Sequence, residues 1–381
     1  MSAVHDKLLE EQCVIYGHFT VDGGYKSRYL FDFGPLQSSL SLRQQLEIHL
    51  CNTINKRYHT SLITFEGGLE DIVKRIAVQG NFGFHIIDES REYKDKIDSY
   101  PYTSNYVLID TEFFNGKRFK QMHKYFTFPE DIKQHIVLYD HQQNAESYEF
   151  NEFTSILNRT MVVRYRLKTI KKRKQSSLCF SADCDNIDES LRIINEIGDK
   201  IVVCKIHTDT LPYYLQEYFK QELLNASIEH DFLIMEDRKF NDISWIVQKQ
   251  YQRFYDWVDL VTVHSLVASD VFKYVSGAMI VSSMSNQTYD FTNEAIQHAS
   301  EYGSRVAGFI TQKRIQVPNS NENFVCMTPG VRPKAEKIED QNYRPINDVN
   351  TDFYVVGRAI YQSKNPREAA FAFLGQSFSN H

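Results

Sequence analysis

Asp237, Lys239 and Asp242 stand in a twelve-residue stretch that opens like a buried strand, FLIMEDRKFNDI (232–243). Residues two apart on a strand share a face, so Asp237 and Lys239 would point together, as would Lys205 and His207 at the end of IVVCKIH (201–207). Further on, TPGV (328–331) and VGR (356–358) place Gly330 and Gly357 where backbone amides can approach an anion. Arg358 adds a planar fork of donors suited to phosphate. The expected chemistry is that of a charged site gripping a phosphorylated substrate.

Something must bring these residues together. The second half of the chain holds eight apolar runs of strand length, ending at Asp183, His207, Asp237, His264, Ser285, Ile310, Gly330 and Arg358. Helical patterns separate most of them, as in NIDESLRIINEI, where Leu191, Ile194 and Ile197 recur at helix spacing. Near-continuous apolar strands alternating with helices mean a parallel sheet buried on both faces. Eight units in about 205 residues fit one (β/α)8 TIM barrel, whose working site lies at the C-terminal ends of the strands. Asp183, Lys205, His207, Asp237, Lys239, Ser285 and Arg358 all fall at that rim. The loops after strands seven and eight are a frequent phosphate site in such barrels.

At 381 residues the chain has room for two domains. The net charge of -6 gives no general pull towards nucleic acid, and no run approaches the length of a membrane span. The N-terminus is too polar for a signal peptide, so a cytoplasmic protein is expected. The six cysteines include no C-x-x-C pair and read as reduced, buried thiols. No metal site is expected, because ligand spacing is absent.

The order of SAD (181–183), K-x-H-x-D (205–209), MEDRKFNDI (235–243), MS (284–285), GFI (308–310), TPGV, Q-x-Y (341–343) and VGR resembles the orotidine 5′-monophosphate decarboxylase family from about residue 160 onwards. The resemblance implies cofactor-free conversion of orotidine 5′-monophosphate to uridine 5′-monophosphate. It implies a catalytic array of Lys205, Asp237, Lys239 and Asp242, with Asp242 reaching the site of a neighbouring subunit in a homodimer. Ser181 would face the base, and Asp183 with Lys205 would hold the ribose. Ser285 and Gln341 would close over the pyrimidine, and Gln341, Tyr343, Gly357 and Arg358 would hold the phosphate. Pro329 lines the implied pocket, and His207, Ile243 and Met284 complete the substrate-binding set. The polar stretch 331–343 is a candidate lid.

That chemistry explains the charges. Loss of carbon dioxide leaves a carbanion with no ring position to spread into, and no pyridoxal or thiamine motif is visible. Preorganised electrostatics must then carry the reaction, with Lys239 attracting the carbanion and protonating it. Flanking carboxylates favour the charged form of that lysine. The chain departs from the family after Asp242: Ser244, Trp245 and Ile246 replace the usual Gly-Asn-Thr. Ile246 cannot hydrogen-bond, and the bulk of Trp245 falls at the implied dimer contact. The loop NQTYDFT after Ser285 is also shorter than usual.

Residues 1–155 resemble, more thinly, the orotate phosphoribosyltransferase domain that precedes the decarboxylase in uridine monophosphate synthases. Two pyrophosphate-binding lysines would be replaced by Asp88 and Arg91. In YVLIDTEFFNGKRF (106–119), Asp110 and Gly116 persist, but Thr111, Phe114 and Asn115 stand where the resemblance asks for an acid and small hydroxyl residues. A phosphate nest tolerates no such bulk. The expectation is a retained α/β fold without transferase activity. Residues 156–176 read as a helix leading into the barrel of 177–381, with a basic run (168–174) that is a solvated helix end, a nuclear import signal or an anion-docking patch. A non-catalytic scaffold or nucleotide-binding regulator stays open as an alternative function.

Overall fold

The computed structural model describes residues 3–374 except 22–24, 55–59, 66–67, 88–104, 114–131, 142–151, 287–288, 334–335 and 339–340. The chain divides into two units, Met1–Tyr16 with Tyr29–Arg159, and Gly17–Arg28 with Thr160–His381.

The first unit is built on five parallel strands, in the order Gly83–Ile87, Thr60–Phe65, Asn105–Phe113, Ile132–Asp140, Glu152–Asn158. Its interior runs are apolar and fully buried, among them Val107, Leu108 and Ile109 beside Ile136, Val137 and Leu138. The strand that carries Asp110 continues to Phe113, further than the reading of 106–119 requires, and Asp110 itself is buried. Asp88, Arg91, Phe114, Asn115 and Gly116 lie outside the described residues, as does the side chain of Thr111.

The second unit contains a closed barrel of eight parallel strands. They are β1 (Leu178–Ser181), β2 (Val203–Ile206), β3 (Leu233–Phe240), β4 (Leu260–His264), β5 (Ala278–Val281), β6 (Val306–Ile310), β7 (Val325–Pro329) and β8 (Phe353–Val356). Each strand pairs with its neighbours in chain order, and β8 closes on β1. This is the TIM barrel expected from the eight apolar runs. Helices such as Ile187–Ile197 bury an apolar face against it, and Asn186 starts that helix by accepting from the Glu189 N–H at 3.1 Å.

Two boundaries differ from the sequence reading. SILN (155–158) finishes the sheet of the first unit, and the helix α1 begins only at Arg159 and ends at Lys174. Three residues, 156–158, were taken into a helix because nothing but strand pairing distinguishes them. The segment 17–28 also groups with the barrel unit rather than with the first 155 residues. There Arg28 is fully buried and donates to Ser227 Oγ at 2.9 Å and to Asp259 at 3.4 Å. A buried guanidinium needs such partners.

The basic run is not a free tail. Lys174 Nζ donates to the carbonyls of Gly198 (2.8 Å) and Ile201 (2.7 Å), and Lys171 Nζ to that of Asp352 (2.9 Å). Arg166 and Arg173 both pair with Asp231. Burial lowers Lys174 to about 7. Lys171 and Lys174 thus serve backbone carbonyls at the foot of the barrel.

Candidate active site

The C-terminal rim brings most of the charged residues into one network. Asp237 Oδ2 lies 2.9 Å from Lys205 Nζ, 2.9 Å from Lys239 Nζ and 3.3 Å from His207 Nε2. Lys205 Nζ also lies 2.9 Å from His207 Nε2 and 3.5 Å from Asp183 Oδ1. Ser181 Oγ donates to Asp183 Oδ2 at 2.6 Å. Carboxylates and ammoniums thus alternate along Asp183, Lys205, Asp237 and Lys239.

Burial opposes both charges at the centre, yet the pairing wins. The Lys205 ammonium, the His207 hydrogen bond and the Lys239 ammonium hold the Asp237 carboxyl well below the usual carboxylate range. Asp237 and Asp183 in turn keep Lys205 above an ordinary lysine. Both groups are therefore charged at neutral pH, and no proton transfer between them is needed to assemble the site.

Simple alternation on β3 is not what aims Lys239. Glu236 pairs with Val261 and Phe240 with Val263, so three residues of β3 (237–239) oppose Thr262 alone on β4. This bulge turns Lys239 to φ +50°, a left-handed backbone that costs a lysine about 1 kcal/mol. The Lys239 N–H donates to Thr262 Oγ1 at 2.8 Å, and Thr262 Oγ1 donates to Asp237 Oδ1 at 2.8 Å.

One pocket is lined by Ser181, Asp183, Lys205, Asp237, Lys239, Met284, Ser285, Pro329, Tyr343, Gly357 and Arg358. Gly330, on its wall, has φ +74°, which excludes most side chains. At Gly357 a Cβ would meet Ser181 Cβ at 3.2 Å. The Arg332 guanidinium sits 4.3 Å from the Tyr343 ring centre and that of Arg358 5.9 Å from it, so Tyr343 holds two cations beside the glycines.

His207 does not line the pocket but backs it through Lys205 and Asp237. Ile243, expected beside substrate, is 66% exposed and lies outside the pocket of its own chain. Asp242 is also exposed there, and its carboxylate accepts from the neighbouring Ile243 N–H at 2.8 Å. The Gln341 side chain lies outside the described residues. Around it, the stretch expected to be a polar lid forms short strands: Val331–Arg332 and Glu336–Ile338 both pair with Gln341–Pro345. Sequence reading missed Thr262, Val331 and Tyr361; the signal for Thr262 was a hydroxyl inside the apolar run DLVTVH.

The orotidine 5′-phosphate decarboxylase / HUMPS family matches residues 176–373. The chain belongs to this family. It is 33% identical over 232 residues to uridine 5′-monophosphate synthase of Bos taurus, covering 55% of this chain and 48% of that protein. It is 31% identical over 245 residues to orotidine 5′-phosphate decarboxylase of Pichia kudriavzevii, covering 55% of this chain and 90% of that one. The solved orotidine 5′-monophosphate decarboxylase of Methanocaldococcus jannaschii, complexed with inhibitor BMP, is 22% identical with a TM-score of 0.42, covering 53% of this chain and 98% of that one. The chain spans about half the length of the synthases it matches.

Among the described residues, no helix is long and apolar enough to cross a membrane, and no group of three or more His, Cys, Asp or Glu could hold a metal. Of the six thiols, Cys13, Cys179, Cys204 and Cys326 are buried and Cys51 and Cys184 half-buried.

Glu236 gives the barrel unit a pH dependence of its own. It is fully buried, and its two oxygens accept from the Thr208 N–H at 3.3 and 3.2 Å. Burial, reinforced by Asp209 and Asp237, pushes its carboxyl up to about 8 against those hydrogen bonds. The folded state then keeps a proton that the unfolded chain loses above its ordinary value of 4.5, so this stability is full below 4.5 and gone once pH passes about 8. Glu236→Gln keeps an acceptor without the charge. Urea unfolding should find it close to wild type at pH 5 and more stable at pH 9, by roughly 2–4 kcal/mol. An equal difference at both pH values would contradict the assignment.

Proposed function

We propose that the protein decarboxylates orotidine 5′-monophosphate to uridine 5′-monophosphate, with the pyrimidine over the Lys205–Asp237–Lys239 array and the phosphate at Gly357 and Arg358. Family membership supports the reaction. The observation that carries the site is the alternating Asp183, Lys205, Asp237, Lys239 network inside a pocket also lined by Gly330, Gly357 and Arg358.

In this reading the bond from ring carbon six to the carboxylate breaks and carbon dioxide leaves. The electron pair stays on carbon six, where Lys239 supplies the proton. The resulting amine regains a proton from water. Phosphate contacts away from the reacting carbon provide binding energy that orders the site before chemistry. Asp242 would complete the array from a second copy of the chain, in a homodimer. Its own exposure, and that of Ile243, Trp245 (59%) and Leu266 (56%), supports an interface at this rim.

We also propose that residues 1–155 form a degenerate phosphoribosyltransferase-like domain without transferase activity, on the strength of the substitutions at 88, 91, 111, 114 and 115. The test is ultraviolet-monitored turnover by the purified full chain. Orotidine 5′-monophosphate should be converted in the presence of a chelator, whereas orotate plus phosphoribosyl pyrophosphate should yield no uridine 5′-monophosphate. Nucleotide binding without turnover would replace this reading with the non-catalytic regulator.

A further inference from the structure

We propose that Thr262 is a positioning residue, whose one hydroxyl sets both the Asp237 carboxylate and the backbone that carries Lys239. The inference rests on the decarboxylase reading of this site and adds a residue on the neighbouring strand to it.

The register makes the case. Where β3 bulges, residues 237–239 face a single residue of β4, so the backbone ladder cannot serve them all. Thr262 fills the gap with its side chain. Its oxygen accepts from the Lys239 N–H, and its proton goes to Asp237 Oδ1, both at 2.8 Å. A hydroxyl has one proton, so this direction of donation commits it to Asp237 and leaves a lone pair for Lys239. Thr262 itself is fully buried.

Asp237 divides its duties accordingly. Oδ2 faces the ammoniums of Lys205 and Lys239, while Oδ1 is tied to Thr262. The tie stops the carboxylate from turning about its own bond. It also holds Lys239 in the left-handed backbone that β-strand pairing would otherwise pull straight. Removing the hydroxyl leaves every charge present and changes only where the charges sit. The substrate contacts at Gly357 and Arg358 are untouched, so the loss should fall on kcat.

Thr262→Val keeps shape and branching; Thr262→Ser keeps the hydroxyl. Each is compared with wild type in the full chain, at a temperature where thermal melts show all three folded. The expected result is a kcat about 100-fold lower in T262V, the scale of an ångström-sized misplacement, with KM within about threefold. T262S should recover kcat to within about threefold of wild type. Wild-type kcat in T262V, or an equal loss in T262S, overturns the proposal.

Should the wild type itself fail to decarboxylate, the functional reading falls and a second readout judges Thr262. That readout is the rate at which trinitrobenzenesulfonate labels Lys239 relative to Lys249, by peptide mass. A severalfold change in T262V with T262S unchanged upholds the positioning role, and equal rates in all three overturn it.

Discussion

Replacing Lys239 by alanine should lower kcat for orotidine 5′-monophosphate at least about 10⁴-fold while leaving affinity for uridine 5′-monophosphate within about tenfold. The two effects have different origins. Lys239 would supply both a counter-charge for the carbanion and the proton that quenches it, roles worth about 10²–10³-fold and 10²–10⁴-fold when lost singly. In the proposed reading nucleotide affinity would depend mainly on Gly357, Arg358 and Tyr343, which line the same pocket. The variant should also fold. Asp237 keeps Lys205 at 2.9 Å and the Thr262 hydroxyl at 2.8 Å, so no buried charge is stranded. Single-turnover absorbance separates chemistry from product release and titration of uridine 5′-monophosphate gives affinity. Equal single-turnover rates in wild type and variant would remove Lys239 from the mechanism.

The barrel was legible because its signal is redundant. Runs such as VCKI, AMIV and VAGFI are buried at every position, and a sheet covered on both faces needs that near-continuous burial. The ends of those runs located the rim, and the rim located the charges. Edges were harder to read. Residues 155–158 are as compatible with helix as with strand until the partner strand Ile132–Asp140 is known. The segment 17–28 was assigned by proximity in sequence, although Arg28 finds its partners at Ser227 and Asp259, about 200 residues away.

The site itself was legible as composition, less so as geometry. Period-two alternation put Asp237 and Lys239 on one face, and both do line the pocket. The cause is different, since a bulge and a left-handed residue intervene between them and the regular strand. A bulge depends on the register of two strands, which no single strand encodes. For the same reason Thr262 passed as an ordinary strand residue. The basic run misled in the other direction: clustered cations look solvated, but Lys171 and Lys174 are half-buried and serve carbonyl groups brought near only by closure of the barrel.

Asp242 gives the sharpest test of assembly. Asp242→Ala alone is expected to lose about 10²–10³-fold in kcat, as is usual when one preorganised charge leaves a site. Lys239→Ala is inactive for its own reason. If each pocket draws Lys239 from one chain and Asp242 from the other, a mixed dimer of the two variants contains one pocket with both defects and one with neither. Random pairing makes half the dimers mixed, so mixing equal amounts should restore about a quarter of the wild-type rate. The geometry makes this reasonable: Asp242 is exposed, does not line the pocket of its own chain, and is followed by the exposed Ile243 and Trp245. Trp245 is held in place by the Lys249 ammonium 4.4 Å from its ring centre, which favours a defined contact surface over a loose loop. Recovery should appear only after the dimers exchange subunits, and should fail when either variant is mixed with itself. A mixture no more active than its parts would place Asp242 outside the partner's site and leave the array of Asp183, Lys205, Asp237 and Lys239 to act within one chain.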